Sequence, residues 1–161
     1  MSVCVYPGSF DPMTVGHLDI IRRASELFDT IHVAVLHNPA KSGLLTTAVR
    51  ESLIRQATAA YPKVRVTHFD GLLIDFAKAC GARFVVRGLR SQEDLGYEMQ
   101  MAQLNRHMNG QLDTLFFVAE PGHSHISSNA VRQILSFGGD IRGMVPDEIL
   151  PTLMALLPQT R

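Results

Sequence analysis

The sequence is poor in cysteine and has no surplus of charge of either sign. Its 161 residues include two cysteines, Cys4 and Cys80, too few for a disulfide framework, and both lie in apolar stretches typical of small buried residues. Lysine and arginine total 15, as do aspartate and glutamate, so the formal net charge is +0. This balance argues against a general basic surface for nucleic acid or an anionic membrane. Any bound anion must meet a local cluster of donors.

Long apolar runs and several common motifs are also missing. No run is long enough to span a bilayer, and residues 1–6 lack the basic region that precedes the apolar part of a signal peptide. We therefore expect a cytoplasmic protein with no membrane or nucleic-acid partner. Neither G-x-x-x-x-G-K-[ST] nor G-x-G-x-x-G occurs, which argues against a P-loop nucleotidase and a conventional dinucleotide-binding fold. The G-x-S-x-G elbow of serine hydrolases is absent too.

Short β-branched runs alternate with longer helical patterns. We predict strands over 3–6, 31–36, 64–69, 82–86 and 115–119, and helices over 17–28, 47–60, 72–80, 91–109 and 128–137. The tail over 146–157 also has a helical pattern, which Pro151 must kink or restart. This alternation predicts an α/β fold: one Rossmann-like domain over 1–161, with a doubly wound parallel five-stranded sheet and helices on both faces. Ligands of such sheets bind beyond the carboxyl ends of the strands.

The residues that follow the first predicted strand form the first candidate site. Gly8 and Ser9 end the strand, and Thr14, Gly16 and His17 open the next helix. A helix start offers free N–H groups and the positive end of the dipole, which suit a phosphate. Each residue alone fits a plain strand–turn–helix junction with a capping threonine and an incidental histidine. Together, at this junction, they favour phosphate binding.

Cations follow two further predicted strands. Lys41 stands beside Gly43 in a strand-end loop, where it is either a phosphate ligand or a solvated lysine. Arg87 and Arg90 flank Gly88-Leu89 before a helix start, and arginine suits bidentate phosphate contact. Glu98, about two turns into that helix, either accepts from a ribose or amino group or is an exposed carboxylate, and Arg87 alone fits a strand-end salt bridge.

Hydroxyls gather at the last predicted strand–helix junction. Ser127 and Ser128 open the helix and Arg132 follows one turn later, an arrangement that suits phosphate as well as a plain N-cap. His123 and His125 lie close by in sequence. No third histidine or cysteine and no paired carboxylate stands at ligand spacing, so we predict no metal held by the protein's own side chains.

Three segments together resemble one known family. They are Tyr6-Pro7-Gly8-Ser9-Phe10-Asp11-Pro12 with Thr14-Val15-Gly16-His17, then Arg87-Gly88-Leu89-Arg90 with Asp94, Tyr97-Glu98, Gln100-Met101-Ala102 and Asn105-Arg106, and finally Ile126-Ser127-Ser128. The chain resembles phosphopantetheine adenylyltransferases of coenzyme A biosynthesis, in the nucleotidyltransferase superfamily, from about residue 3 to 157. The first and last motifs occur across the superfamily, whereas the Arg87–Arg90 block narrows the resemblance to the pantetheine enzymes.

The resemblance implies a reaction and a set of residue roles. The phosphate of 4′-phosphopantetheine attacks the α-phosphorus of ATP in line, giving dephospho-coenzyme A and pyrophosphate. Catalytic roles fall to His17, as transition-state stabiliser, and to Lys41 and Arg90. The implied substrate ligands are Ser9, Lys41, Leu73 and Arg87. The implied ATP ligands are Ser9, Phe10, His17, Gly88, Leu89, Arg90, Glu98, His123, Ser124, His125, Ile126, Ser127, Ser128 and Asn129. The family also implies Mg²⁺ carried mainly by the ATP phosphates, a homohexamer, and feedback binding of coenzyme A.

The chain departs from the family's usual pattern at four places. Ser9 stands where threonine is usual, Leu95-Gly96 replaces a common Phe-Glu pair, His125 replaces an aromatic residue, and Asn129 replaces serine or threonine. Two alternatives stay open: another adenylyltransferase of the superfamily, such as one using nicotinate mononucleotide, and a catalytically silent nucleotide- or coenzyme-binding regulator. Arg87–Arg90 argues against the first, and His17, Lys41 and Arg90 argue against the second.

Overall fold

Five parallel strands form the central sheet of the computed structural model, which describes residues 1–36 and 43–157. The strands are β1 (Val3–Gly8), β2 (Thr30–Leu36), β3 (Val64–Phe69), β4 (Phe84–Leu89) and β5 (Asp113–Val118). Their order across the sheet is β3-β2-β1-β4-β5. The helices are α1 (Val15–Leu27), α2 (Thr47–Ala57), α3 (Leu73–Ala79), α4 (Gln92–Met108), α5 (Ser128–Ser136) and α6 (Leu150–Leu156). The predicted fold class is confirmed.

Both faces of the sheet are covered by helices. Cys4 and Tyr6 of β1 face a core that also contains residues of α1, α2, α5 and α6. The intervening residue, Val5, faces a second core that contains Ala77 of α3, and α4 packs on the same side against β4 and β5. The alternation arises because successive side chains of a strand point to opposite faces. Near-continuous burial along β1 is what a parallel sheet covered on both faces requires.

Two strands run further at their carboxyl ends than the sequence predicts. β1 continues through Pro7 and Gly8, which pair with Ala34 and Val35 of β2. β4 spans Phe84–Leu89 rather than 82–86, so Arg87 and Gly88 lie within the strand and not in the loop after it. The extension has a tertiary cause, because Arg87, Gly88 and Leu89 are aligned with residues of β5. β5 itself begins two residues early, at Asp113, for the same reason.

The helix ends follow local rules. Thr14, Thr46, Ser91 and Ser127 act as N-caps, each accepting a hydrogen bond from a backbone N–H three residues on. Gly81, two residues after α3, adopts a φ of +69°, which an L side chain adopts only with strain. The predicted helical tail over 146–157 begins later than expected, at Leu150. Pro151 lies in its first turn, where the missing N–H costs nothing, so the proline restarts the helix.

The two cysteines are free thiols. Cys4 is fully buried, whereas Cys80 is only partly buried, which corrects the expectation that both are buried. Burial raises the pKa of Cys4 to about 12 and that of Cys80 in the same direction, so neither is a reactive thiolate at neutral pH. No helix within residues 1–36 and 43–157 is long and apolar enough to cross a membrane.

Candidate active site

The candidate site lies at the carboxyl ends of β1 and β4. These strands are neighbours in the sheet although two strands separate them in sequence, so this is the point where the strand order reverses. Two adjoining cavities open there, of about 320 Å³ and about 440 Å³. Both are lined by Pro7, Gly8, Ser9, Arg87 and Glu98. We call the first the polar cavity and the second the apolar cavity.

Three helix starts border the polar cavity. Gly16 and His17 come from the start of α1, Ser127–Asn129 from the start of α5, and Arg90 and Asp94 from the start of α4. The first N–H groups of a helix have no partner inside the helix, and the dipole places positive charge there. The polar cavity is therefore suited to anions such as phosphates.

His17 is held in place by the cap of α1. The Thr14 backbone N–H donates to His17 Nδ1 at 3.0 Å, and the His17 N–H donates back to the Thr14 hydroxyl. This reciprocal pair is a capping box in which the imidazole takes the position usually held by glutamate. Because Nδ1 accepts, the neutral ring carries its proton on Nε2. The ring lines the polar cavity, so Nε2–H is the donor left for a ligand.

The protonation state of His17 follows from its surroundings. Burial, with the positive charges of Arg90 and Arg87, lowers the pKa of His17 to about 4. The ring is therefore neutral at physiological pH. A neutral Nε2–H can donate to a phosphoryl oxygen, and the ring has no proton that it readily gives up at neutral pH.

Arg87 and Glu98 form a bidentate ion pair where the two cavities meet. Arg87 Nε donates to Glu98 Oε2 at 2.7 Å, Nη2 donates to the other carboxylate oxygen, and Nη1 donates to the Pro7 carbonyl. Burial alone would lower the pKa of Arg87, but Glu98 outweighs it and the pKa is raised. The pair and the bond to the Pro7 carbonyl fix the guanidinium plane and leave two of its five N–H donors for a ligand. Glu98 is buried rather than exposed, and the strand-end salt bridge that the sequence left open for Arg87 exists.

Arg90 is oriented by the first turn of α4. Its Nε and Nη2 donate to the two carboxylate oxygens of Asp94, at 3.1 and 3.3 Å, and its backbone N–H donates to the same carboxylate. The guanidinium lines the polar cavity about half exposed to solvent. An anion entering the cavity meets Arg90 in a fixed orientation, because its carboxylate partner holds the side chain.

Ser127 and Ser128 have structural roles at the start of α5. Ser127 caps α5, and the Ser128 hydroxyl donates to the Pro12 carbonyl at 2.8 Å, joining α5 to the loop after β1. His123 Nδ1 is buried without a hydrogen-bond partner while its residue lines the polar cavity. Such a buried polar atom costs free energy unless a ligand satisfies it.

Most of the predicted ATP ligands come together, and four lie apart. The polar cavity is lined by Ser9, His17, Gly88, Arg90, Glu98, His123, Ile126, Ser127, Ser128 and Asn129. Phe10, Leu89, Ser124 and His125 are not among the lining residues of either cavity. The Phe10 ring is 1% exposed and packs edge-on against His17 and Tyr6, so Phe10 can reach a ligand only through its backbone.

The apolar cavity is lined by three of the four predicted substrate ligands, Ser9, Leu73 and Arg87, and by a group of residues to which the sequence assigned no role. Tyr97, Met101, Asn105 and Met108 of α4 line one wall. Their spacing of four, four and three residues places them on one helix face, and this pattern is the signal that could have found them. Leu36 and Phe69, at the ends of β2 and β3, line it as well.

Lys41 lies outside the described residues. The chain is described again from Gly43, two positions after it. A Cβ added to Gly43 would lie 2.7 Å from Asp11 Oδ2, so Gly43 approaches the loop after β1 closely.

Comparisons with known proteins agree on one family. Residues 5–134 match the cytidylyltransferase-like family. A phosphopantetheine adenylyltransferase of Rubrobacter xylanophilus is 51% identical over 153 residues, covering 95% of this chain and 93% of that protein. One from Clostridium tetani is 47% identical over 150 residues, covering 93% and 94%, and one from Clostridium novyi is 41% identical over the full length of both chains.

The chain belongs to the phosphopantetheine adenylyltransferase family. The resemblance drawn from the three motifs is thus confirmed, and it covers nearly the whole chain. Members of this family are enzymes, so the silent-regulator alternative loses its main support.

A solved structure from Vibrio parahaemolyticus shows the same fold at a greater distance. It is described provisionally as a nicotinate-nucleotide adenylyltransferase, is 15% identical, and superposes with a TM-score of 0.73 over 96% of this chain and 93% of its own. At that identity the likeness supports the architecture and not the substrate.

Proposed function

We propose that this chain transfers the adenylyl group of ATP to 4′-phosphopantetheine, releasing pyrophosphate and forming dephospho-coenzyme A. The observation that carries the proposal is the pair of cavities that meet at Pro7–Ser9 and at the Arg87–Glu98 pair. A reaction that joins two phosphorylated molecules needs two sites whose phosphate ends converge. The polar cavity suits the nucleotide, and the apolar cavity suits a long, largely uncharged acceptor.

ATP would occupy the polar cavity. The starts of α1 and α5, together with Arg90, supply donors for the phosphates, and His123 Nδ1 supplies an unused buried polar atom for the nucleotide. His17 would stand at the α-phosphate, where negative charge grows as the bond forms. The family resemblance also assigns Gly88, Leu89 and Ser124–Asn129 to ATP binding. Of these, Leu89, Ser124 and His125 do not line the polar cavity and would contribute from outside it.

4′-Phosphopantetheine would occupy the apolar cavity with its phosphate towards the junction. Arg87 has two N–H donors left there, and Ser9 lines both cavities and can touch both substrates. Leu36, Phe69, Leu73 and Met101 would pack along the pantetheine arm. Lys41 would add a second cation for the same phosphate, as the family resemblance implies.

The chemistry would depend on position and charge. A phosphate oxygen of the acceptor attacks the α-phosphorus, a new P–O bond forms, and the bond to the β-phosphate oxygen breaks with pyrophosphate leaving. The acceptor phosphate is already a nucleophile, so no covalent enzyme intermediate is needed. The site aligns two anions and meets the developing charge with preorganised donors, chiefly His17 Nε2–H and Arg90.

We propose that Mg²⁺ enters on the ATP phosphates. The two carboxylates that line the polar cavity, Asp94 and Glu98, are each held by an arginine. Among the described residues no group of three histidine, cysteine or acidic side chains is placed to hold a metal ion. This donor set fits an ion bound mainly by substrate oxygens. When bound, the ion neutralises part of the phosphate charge.

Three further proposals extend the family resemblance. We propose a homohexamer, a cytoplasmic location, and feedback binding of coenzyme A across the same two cavities, since dephospho-coenzyme A, the product that coenzyme A resembles, would span both. An interface between copies of the chain is supported by exposed apolar side chains on α4 and β5, namely Leu95, Leu104, Leu115 and Val118. Sedimentation equilibrium should give a species six times the 17.8 kDa chain mass, and a monomer would refute the hexamer.

The decisive experiment is a coupled pyrophosphate-release assay with ATP and Mg²⁺. It compares 4′-phosphopantetheine with nicotinate mononucleotide as the acceptor. We expect turnover with phosphopantetheine alone. Turnover with nicotinate mononucleotide alone would overturn the proposal in favour of the related adenylyltransferase, and ATP binding without turnover on either acceptor would favour the regulator.

A further inference from the structure

Side chains from distant elements donate hydrogen bonds to the backbone of the loop between β1 and α1. The Ser9 carbonyl accepts from Arg50 Nη1 at 2.9 Å, the Asp11 carbonyl accepts from Arg132 Nη1, and the Pro12 carbonyl accepts from the Ser128 hydroxyl at 2.8 Å. Two of these hydrogen bonds come from α5, whose start forms part of the polar cavity. The hydrogen bond from Arg50 comes from α2, which contributes no lining residue to either cavity.

Arg50 is a buried cation that donates hydrogen bonds to two loops beside the site. It is 9% exposed, and besides Ser9 it reaches the Leu45 carbonyl, which accepts from Nε at 3.0 Å. The Asp11 carboxylate closes the arrangement from the other side by accepting from the N–H groups of Leu44 and Leu45 at 2.7 and 2.9 Å. A guanidinium this deeply buried carries a desolvation penalty that these hydrogen bonds and the nearby carboxylate must offset.

The backbone between these hydrogen bonds is strained. Phe10 has a φ of +48°, the one positive φ among non-glycine residues in the part of the chain described. A non-glycine residue in this region is strained, and the strain persists only where several contacts hold the backbone in place. Arg50 holds the residue before Phe10 through its carbonyl, and Asp11, the residue after it, is held through its carboxylate. Relaxation of this turn would move Ser9 at the junction of the two cavities.

We propose that Arg50 is a positioning residue for adenylyl transfer and acts through Ser9. It holds the Ser9 carbonyl, and this fixes the Ser9 hydroxyl where the acceptor phosphate and the α-phosphate of ATP must converge. Arg50 lines neither cavity, so its effect on the reaction is indirect. This inference rests on the proposed function.

The test uses two substitutions at Arg50 and a control on the same helix. Arg50→Gln removes the charge and the fork of donors, and Arg50→Lys keeps the charge with a single donor group. We expect Arg50→Gln to lower kcat by about 10- to 100-fold, the scale of a misplacement near 1 Å. The KM values for ATP and phosphopantetheine should change much less, and Arg50→Lys should restore part of kcat. Arg55→Gln, at an exposed residue that bonds Glu51 and the Val66 carbonyl, should keep wild-type kcat.

A double-substitution cycle with Ser9→Ala separates positioning from general stabilisation. If Arg50 acts through Ser9, the losses of kcat are not additive, and the double variant is little worse than the poorer single variant. Additive losses would overturn the inference, as would wild-type kcat per folded molecule in Arg50→Gln with only a lower melting temperature. Should Arg50→Gln not fold, Arg50→Lys takes its place in the cycle with Ser9→Ala, and additive losses of kcat in that cycle would refute the role.

The inference and the proposed function fail in different ways. A wild-type enzyme with no turnover on phosphopantetheine refutes the proposed function and the inference with it. An active wild-type enzyme whose Arg50 variants keep wild-type kcat refutes the inference alone.

Discussion

His17 unites a structural and a chemical role in one side chain. Its Nδ1 belongs to the cap of α1, and its Nε2–H faces the polar cavity as a donor that is neutral because burial lowers the pKa to about 4. A preorganised donor of this kind needs no rearrangement when charge develops on the phosphate.

We predict that His17→Ala lowers kcat by about two to three orders of magnitude, as removal of one preorganised donor does. The pyrophosphate-release assay measures it directly. His107→Ala, an exposed histidine in the last turn of α4, is the control and should keep wild-type turnover. Near-normal turnover in His17→Ala would remove His17 from the mechanism.

Arg87 is expected to serve one substrate more than the other. We predict that Arg87→Ala, like Lys41→Ala, weakens phosphopantetheine binding more than ATP binding, because both cations are proposed to hold the acceptor phosphate, with Arg87 at the junction of the two cavities. Isothermal titration with each substrate separately measures the ratio. Equal losses for the two substrates would contradict the assignment.

The same substitution should also cost stability. Arg87→Ala leaves the buried Glu98 carboxylate without its partner, at a cost of about 1.5–3 kcal/mol. Adding Glu98→Gln should recover part of this loss in urea unfolding without restoring phosphopantetheine affinity. That double variant separates the structural share of the ion pair from its share in binding.

At the scale of elements, β4 and α1 approach each other closely at Gly88. A Cβ added there would lie 2.4 Å from Ile20 Cδ1, whereas one added to Gly96 on α4 would meet nothing within 4 Å. Gly88 belongs to the segment that marks the family, whereas Gly96 is one of the departures from the family pattern. Their surroundings therefore predict opposite responses to the same chemical change.

We predict that Gly88→Ala destabilises the fold by about 1–3 kcal/mol through overpacking. Gly96→Ala should stabilise it by up to about 1 kcal/mol, since glycine is the poorer residue inside a helix. Urea unfolding of both variants measures the difference. Ile20→Val, which removes the clashing methyl group, should rescue Gly88→Ala, and a failure of this rescue would place the clash elsewhere.

At the scale of the whole molecule, the free energy of unfolding should fall with acidification because of His17. The pKa of His17 is about 4 in the folded chain, against an ordinary value of 6.5. Between these values the unfolded chain binds a proton that the folded chain does not, so acidification favours unfolding. The contribution of the neutral His17 ring to the free energy of unfolding is fully present above about pH 6.5 and is lost progressively towards pH 4.

Urea unfolding at several pH values between 7 and 4 tests this prediction. The wild type should lose more free energy of unfolding with acidification than His17→Asn, which lacks the titrating group. His32, whose pKa burial also lowers, acts in the same direction but is present in both proteins and cancels in the comparison. Equal pH slopes would show that His17 titrates normally in the folded chain.

Local rules account for what could be predicted along the chain. The N-caps Thr14, Ser91 and Ser127, the glycine stop after α3 and the order of strands and helices depend on residues within about four positions of one another. The motifs were sufficient to place the chain in its family. The sequence also placed the candidate phosphate ligands at strand ends, because parallel strands deliver their carboxyl ends to one edge.

Only the tertiary structure decided the contacts between residues far apart in sequence. β4 extends through Arg87 and Gly88 because β5 pairs with it. Arg87 contacts Glu98 because α4 packs back against the strand and brings the carboxylate to the guanidinium. Arg50 reaches Ser9 across 41 positions. The sequence by itself thus determined the elements, the family and most residue types of the site. The neutral state of His17, the paired state of Arg87 and the hydrogen bond from Arg50 depend on burial and long-range geometry, which no local pattern encodes.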